Sequence, residues 1–171
     1  MSSVKVESTD HVQGQANAPV TLIEYGDYQC PYCGQAYYIV KNLQKKLGDK
    51  LQFVFRNYPL QDLHPHALHA AIAAETAGIE GKFWEMHDII FENQRRLDDP
   101  SLVAYARKIG LDEAKFEKDF GSKPTVEKVQ ADVTSGDTAK VDETPSFFVN
   151  GKLFEGNWTT NEFPEYLESL I

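Results

Sequence analysis

Cysteine is almost missing from this chain: Cys30 and Cys33 are the only two among 171 residues. Without a third thiol there is no separate structural disulfide, so this pair can bridge only with itself, with a partner, or through a metal. Long apolar runs are also missing, and no stretch is long enough to span a bilayer. The opening residues Met1 to Glu7 lack the apolar core of a secretory leader. That points to a cytoplasmic protein, or to a periplasmic or other extracytoplasmic one whose signal has been removed. Positive charge is scarce: 17 Lys and Arg against 26 Asp and Glu give a net charge of -9. The densest basic group, Lys41, Lys45 and Lys46, fits a solvated helix face. A nucleic-acid partner is excluded, because phosphate binding needs a concentrated basic face. There is no internal repeat and no low-complexity linker, so the chain reads as one unit.

What is present can build a core without disulfide staples. Hydrophobic residues make up 42% of the chain, with 10 Phe, 8 Tyr and 2 Trp. Residues 20–25, Val-Thr-Leu-Ile-Glu-Tyr, form a β-branched, apolar strand broken by Gly26-Asp27. Pro31 sits where a helix begins, since it lacks an N–H that the first turn does not use and its φ is already helical. Ala36, Val40, Leu43 and Leu47 follow on one helical face, and Gly48 ends that helix. A second strand covers 51–57, parallel to the first through the helical crossover. Residues 64–138 are helical in pattern, in segments at 67–77, 83–91, 101–109, 111–120 and 125–138. Short strands return at 146–149 and 152–155 around Asn150-Gly151, a strong hairpin signal. Thr159 and Glu162 have the spacing of a capping box for a final helix. The fold class is therefore α/β, with an all-helical insertion.

The pair lies just after a strand and opens a helix, in Cys30-Pro31-Tyr32-Cys33. That position favours a reactive thiol. Inert core thiols and a zinc site are the other readings, but zinc needs about four ligands and there is no second Cys-x-x-Cys. His64, His66, His69 and His87 fit a helix start and a mixed helix face better than a metal site. Phe83, Trp84 and Phe91 read as core of the helical block. Glu24 shares the parity of Val20 and Leu22, so it is either an inward carboxyl, where ionisation is costly, or a solvated acid at the strand end. Arg56 on the next strand is either its partner or a surface arginine.

The order of elements and three stretches of sequence resemble the thioredoxin superfamily, specifically the DsbA-like thiol:disulfide oxidoreductases. The stretches run from Ala18 to Cys33, through His64-Pro65-His66-Ala67 and Gly81 to Asp88, and from Glu143 to Gly151. The resemblance implies a thioredoxin-like domain in two parts, 1–63 and 139–171, around a helical insertion at 64–138. It implies disulfide exchange with protein substrates through Cys30 and Cys33, with no cofactor and no metal. Cys30, at the helix N-terminus, is the attacking thiol and the more shielded Cys33 the resolving one. Pro145 is expected to be cis and to face the cysteines, with substrate pairing to backbone near Thr144. Glu24 matches a buried acid that moves the proton of the resolving thiol. Pro31 and Tyr32 set the surroundings of the thiolate. The expected partners are protein thiols or disulfides and a recycling redox protein or glutathione, with the chain a monomer. A glutathione-dependent, glutaredoxin-like reductase shares Cys-Pro-Tyr-Cys, but this chain is longer and lacks that family's glycine pair after the last strand. A peptide-binding or chaperone module would retain activity without Cys30.

Overall fold

A computed structural model describes residues 3–171, so Met1 and Ser2 of the N-terminal stretch lie outside the described residues. Five strands form one mixed sheet in the order β1-β3-β2-β4-β5. These are β1 (His11–Gln13), β2 (Val20–Gly26), β3 (Leu51–Asn57), β4 (Ser146–Val149) and β5 (Lys152–Leu153). The central pair β2–β3 is parallel, and the other pairings are antiparallel. Helix α1 (Pro31–Leu47) makes the crossover between them. Five helices lie between β3 and β4: α2 (Ala67–Ile79), α3 (Phe83–Phe91), α4 (Asp99–Lys108), α5 (Glu113–Asp119) and α6 (Lys123–Thr138). Helix α7 (Glu162–Glu168) closes the chain. Among the described residues no helix is long and apolar enough to cross a membrane.

Alternation along the strands makes two cores. Val20, Leu22, Phe53, Phe55, Phe147 and Val149 face the larger one, which continues without a break into α1, α2 and α3. Ile23, Tyr25, Val54 and Phe148 face the smaller one with Val141. Helix α2 packs closely among α3, α4, α5 and α6 because Ala67, Ala70, Ala71, Ala73, Ala74 and Ala77 are all buried and none carries bulk. Asn150 and Gly151 take φ values of 48° and 90°, the left-handed pair that a two-residue hairpin needs.

Three details of the sequence reading change. Strand β1 gave no signal: it is three residues long, half-buried, and exists by pairing His11, Val12 and Gln13 with Phe55, Val54 and Phe53. The second hairpin strand stops at Leu153 rather than 155. The last helix starts at Glu162 with Asn161 as its N-cap, not at Thr159. Asn157 captures Thr159 instead, its Oδ1 accepting from the Thr159 amide at 2.9 Å and hydroxyl at 2.6 Å. The Glu162 carboxylate reaches back to the Asn157 N–H at 3.0 Å, and this turn delays the helix.

Candidate active site

Strand β2 ends in the Gly26–Cys30 loop, and α1 begins at Pro31 with Cys30 as its N-cap. Cys30 is extended at φ -69° and ψ 123°, and nothing in its side chain caps the helix. Its sulfur therefore lies where the first amides of α1 have no intrahelical acceptor. Both cysteines are reduced and buried, Cys30 at 4% exposure and Cys33 at 0%.

The two thiols have opposite electrostatics. The Cys30 thiol is lowered from 9.0 to about 5, chiefly by a hydrogen bond from the Cys33 side chain. The Thr144 hydroxyl and the amides of Cys33 and Tyr32 lower it further, against the cost of burial. Cys33 is pushed well above its ordinary value, first by burial and then by its hydrogen bond to Cys30 and the charge of Glu24. Opposing that, the Asp27 N–H donates to Cys33 Sγ at 3.4 Å. At neutral pH the pair is a thiolate at position 30 beside a thiol at position 33.

Across the loop, the Thr144–Pro145 peptide bond is cis. As a thiol, Cys30 Sγ donates to the Thr144 carbonyl at 3.7 Å, while the Thr144 hydroxyl has no other partner. Pro31 is the first helical residue, and Tyr32 stands out at 66% exposure beside the sulfur. A groove of about 280 Å³ opens next to Pro145, lined among others by Glu143, Phe154 and Trp158. Cys30, Cys33, Pro31, Tyr32, Thr144 and Pro145 thus lie together at one end of the sheet.

Glu24 lies beneath them, 2% exposed, in register with Phe55 and Phe147. Its Oε2 has no hydrogen-bond partner. The carboxyl is raised from 4.5 to about 8, first by burial and then by the charge of Cys30. Room for it comes from Gly26, where a Cβ would meet Glu24 Oε2 at 2.8 Å. Arg56 is neither its partner nor a surface residue. It is in register with Tyr25, so it points to the opposite sheet face. There it is buried and holds Asp10 through Nε and Nη2 at 2.9 and 2.8 Å.

The sequence reading missed the residues that hold the loop. Asp27, 1% exposed, accepts four hydrogen bonds. Oδ1 takes the amides of Gln29 and Cys30 at 2.7 and 3.2 Å, and Oδ2 takes the Leu60 amide and His64 Nδ1 at 2.9 and 2.8 Å. Gln29 Oε1 accepts from the His66 amide at 2.7 Å. Tyr28 and His87 share a buried hydrogen bond of 2.9 Å, and burial holds the His87 imidazole neutral. Gln94 Nε2 donates to the carbonyls of Tyr28 and Cys30. His64 and His87 are thus bonded to Asp27 and Tyr28, and His69 to Asp99. The only available signal was Gly26-Asp27, separated from the pair by Tyr28 and Gln29, an acid at a strand end with the side chain a turn needs.

The family described as Thioredoxin (Thioredoxin_4) matches residues 6–169. The chain is 42% identical over 149 residues to the Na(+)/H(+) antiporter NhaA 1 of Salinispora arenicola, covering 87% of this chain and 23% of the antiporter. It thus spans about a quarter of the length of the curated relatives that it matches. The fold is similar to oxidised BdbD from Bacillus subtilis, with a TM-score of 0.86 and 25% identity over 99% of this chain and 96% of that one. It also superimposes on the thiol-disulfide exchange protein alpha-DsbA2 of Wolbachia pipientis, with a TM-score of 0.83 and 20% identity over 96% and 89% of the two chains. These likenesses correct the expectation of a cytoplasmic location. Similar sequences form part of proteins named for sodium–proton antiport, and the fold neighbours include one named alpha-DsbA2. The few residues before β1 carry no information on compartment.

Proposed function

The chain belongs to the thioredoxin family, and from that premise we propose how it works as a thiol:disulfide oxidoreductase on protein substrates. The observation that carries the assignment of roles is the split between the two thiols, Cys30 lowered to about 5 and Cys33 raised. A thiolate is the attacking species in disulfide exchange.

In the reducing direction, the Cys30 thiolate attacks one sulfur of a substrate disulfide. A Cys30–substrate bond forms as the substrate S–S bond breaks, and the second substrate sulfur leaves as thiolate. Cys33 then gives up its proton and attacks Cys30 Sγ, which releases the first substrate sulfur. Two electrons pass to the substrate and the pair ends as a disulfide; oxidation of a substrate dithiol is the same path reversed. Glu24 is the group suited to exchange a proton with Cys33. It is buried beside the pair, has an oxygen without a partner, and is poised near neutrality. Extended substrate pairs with backbone at Thr144, beside Pro145, and Pro31 and Tyr32 border the attacking sulfur.

Stabilising the thiolate stabilises the reduced pair, which favours an oxidant. That direction suits a setting outside the cytoplasm, where protein disulfides persist. A redox protein or glutathione returns the pair to its starting state. Glu24, Cys30 and Cys33 come from β2, the loop after it and α1 of one chain, which supports a monomeric working unit. The test is refolding of a reduced, disulfide-containing protein, with insulin reduction as the converse assay. Cys30→Ser abolishes both if the reading is right. Activity retained by that variant would instead favour the peptide-binding reading.

A further inference from the structure

Gln94 lies in the turn after α3, 64 residues from Cys30 in sequence, yet its side-chain amide is bonded to the first turn of the redox helix. Nε2 donates to the Tyr28 and Cys30 carbonyls, 2.9 Å each. The Cys30 carbonyl also accepts the helical bond from the Gly34 amide at 3.0 Å, so both of its lone pairs are used. Gln94 Oε1 lies over Gly34, in the space that a Cβ there would occupy. Gly34 is buried in the first turn of α1, a position where glycine costs helix stability relative to alanine. The glycine makes physical sense as the gap through which the amide reaches the Cys30 carbonyl.

We propose that Gln94 is a positioning residue for the exchange reaction: by clamping the Tyr28 and Cys30 carbonyls it fixes the turn that stabilises the Cys30 thiolate, and so sets how far the pair favours its reduced form. The link is geometric. Holding the carbonyls on either side of Gln29 fixes the backbone that carries Cys30 Sγ. In this arrangement the amides of Tyr32 and Cys33 bond that sulfur as a thiolate. Gln94 is uncharged and its hydrogen bonds go to the two carbonyls rather than to a sulfur, so it acts through backbone placement. The inference rests on Cys30 being the nucleophile.

The test reads thiolate absorbance against pH, together with the equilibrium in which the reduced pair and glutathione disulfide give the pair's disulfide and two glutathione thiols. Five proteins are compared: wild type, Gln94→Met, Gln94→Ala, Gly34→Ala and Gly34→Ala with Gln94→Ala. Gln94→Met keeps length and apolar bulk but removes both donors. It should move the thiolate midpoint upward and shift the glutathione equilibrium toward the pair's disulfide by about three- to tenfold, the scale of one net hydrogen bond. Gly34→Ala, which pushes the amide off its carbonyls, should shift both readouts in the same direction. Alone it should do so, but in the Gln94→Ala background its effect should vanish, the coupling that a double-mutant cycle isolates. Wild-type values in Gln94→Met would overturn the proposal, as would an undiminished Gly34→Ala effect without Gln94. If Gln94→Met fails to fold, the Gly34→Ala comparison decides alone, and an unshifted thiolate there overturns it. A wild-type protein with no low-pH thiolate would instead sink the assignment of Cys30 itself.

Discussion

Strand β2 and the loop that follows it carry two buried carboxylates, Glu24 and Asp27, at 2% and 1% exposure. Asp27 is surrounded by donors: three amides and His64 Nδ1 bond its two oxygens. Glu24 packs among Phe55 and Phe147, and its Oε2 has no partner. Burial is the same for both, and what differs is the supply of hydrogen-bond donors. A carboxylate with its lone pairs filled ties a loop in place. One without donors is driven to hold a proton, and Glu24 does so up to about pH 8. Three positions along one chain therefore separate a structural acid from one suited to proton transfer.

The strongest way to break this comparison is to remove each carboxylate in turn. Asp27→Ala leaves the Gln29, Cys30 and Leu60 amides and His64 without their acceptor. It should cost about 3–5 kcal/mol in urea unfolding, the sum of several donors left unpaired. Glu24→Gln replaces one neutral buried group with another at pH 6 and should change stability by less than about 1 kcal/mol. Equal losses in the two variants would end the distinction. Function should split the other way. Stopped-flow decay of a mixed disulfide on Cys30 should slow about 10–100-fold in Glu24→Gln, the scale of a lost general acid–base group. A wild-type rate would remove Glu24 from the proton path.

The pH dependence of stability separates the two terms that act on the pair. The folded reduced protein keeps a proton on Glu24 between 4.5 and about 8 that the unfolded chain has lost, so this term lowers stability as pH rises. Cys30 has lost a proton between about 5 and 9.0 that the unfolded chain retains, so its term raises stability over that range. Each slope approaches about 1.4 kcal/mol per pH unit, and the two oppose each other where they overlap. Buried neutral His87 adds a rise with pH up to its ordinary value of 6.5, so reduced wild type should be nearly flat only above that, up to about pH 8. Over that range Glu24→Gln should grow more stable with pH, and Cys30→Ser less stable. Parallel profiles in all three proteins would show that neither group is shifted.

The elements that sequence reveals here are those with local causes. The apolar run from Val20 to Tyr25, the 3-and-4 spacing from Ala36 to Leu47 and the Asn150-Gly151 turn each carry their own signal, and each forms at that place. Glu24 pointing inward was one of the two readings that its position allowed. The cis bond before Pro145 was legible only through resemblance. What stayed hidden depends on distant pairing. Strand β1 has too few residues for periodicity and forms because β3 offers it an edge. Asp27 meets His64 across 37 positions, and Gln94 meets Cys30 across 64. Arg56 read as either a partner of Glu24 or a surface arginine, since arginine is seldom buried, and Asp10 is what makes its burial tolerable.

The division of labour between the two sulfurs is tested most directly by brief alkylation of the reduced protein at pH 6 to 7, with the labelled cysteine identified by peptide mass. Cys30, lowered to about 5, should carry the label within the pulse while Cys33 stays unmodified until the protein is unfolded. Label on Cys33 first, or on neither thiol until the pH approaches 9, would contradict the account.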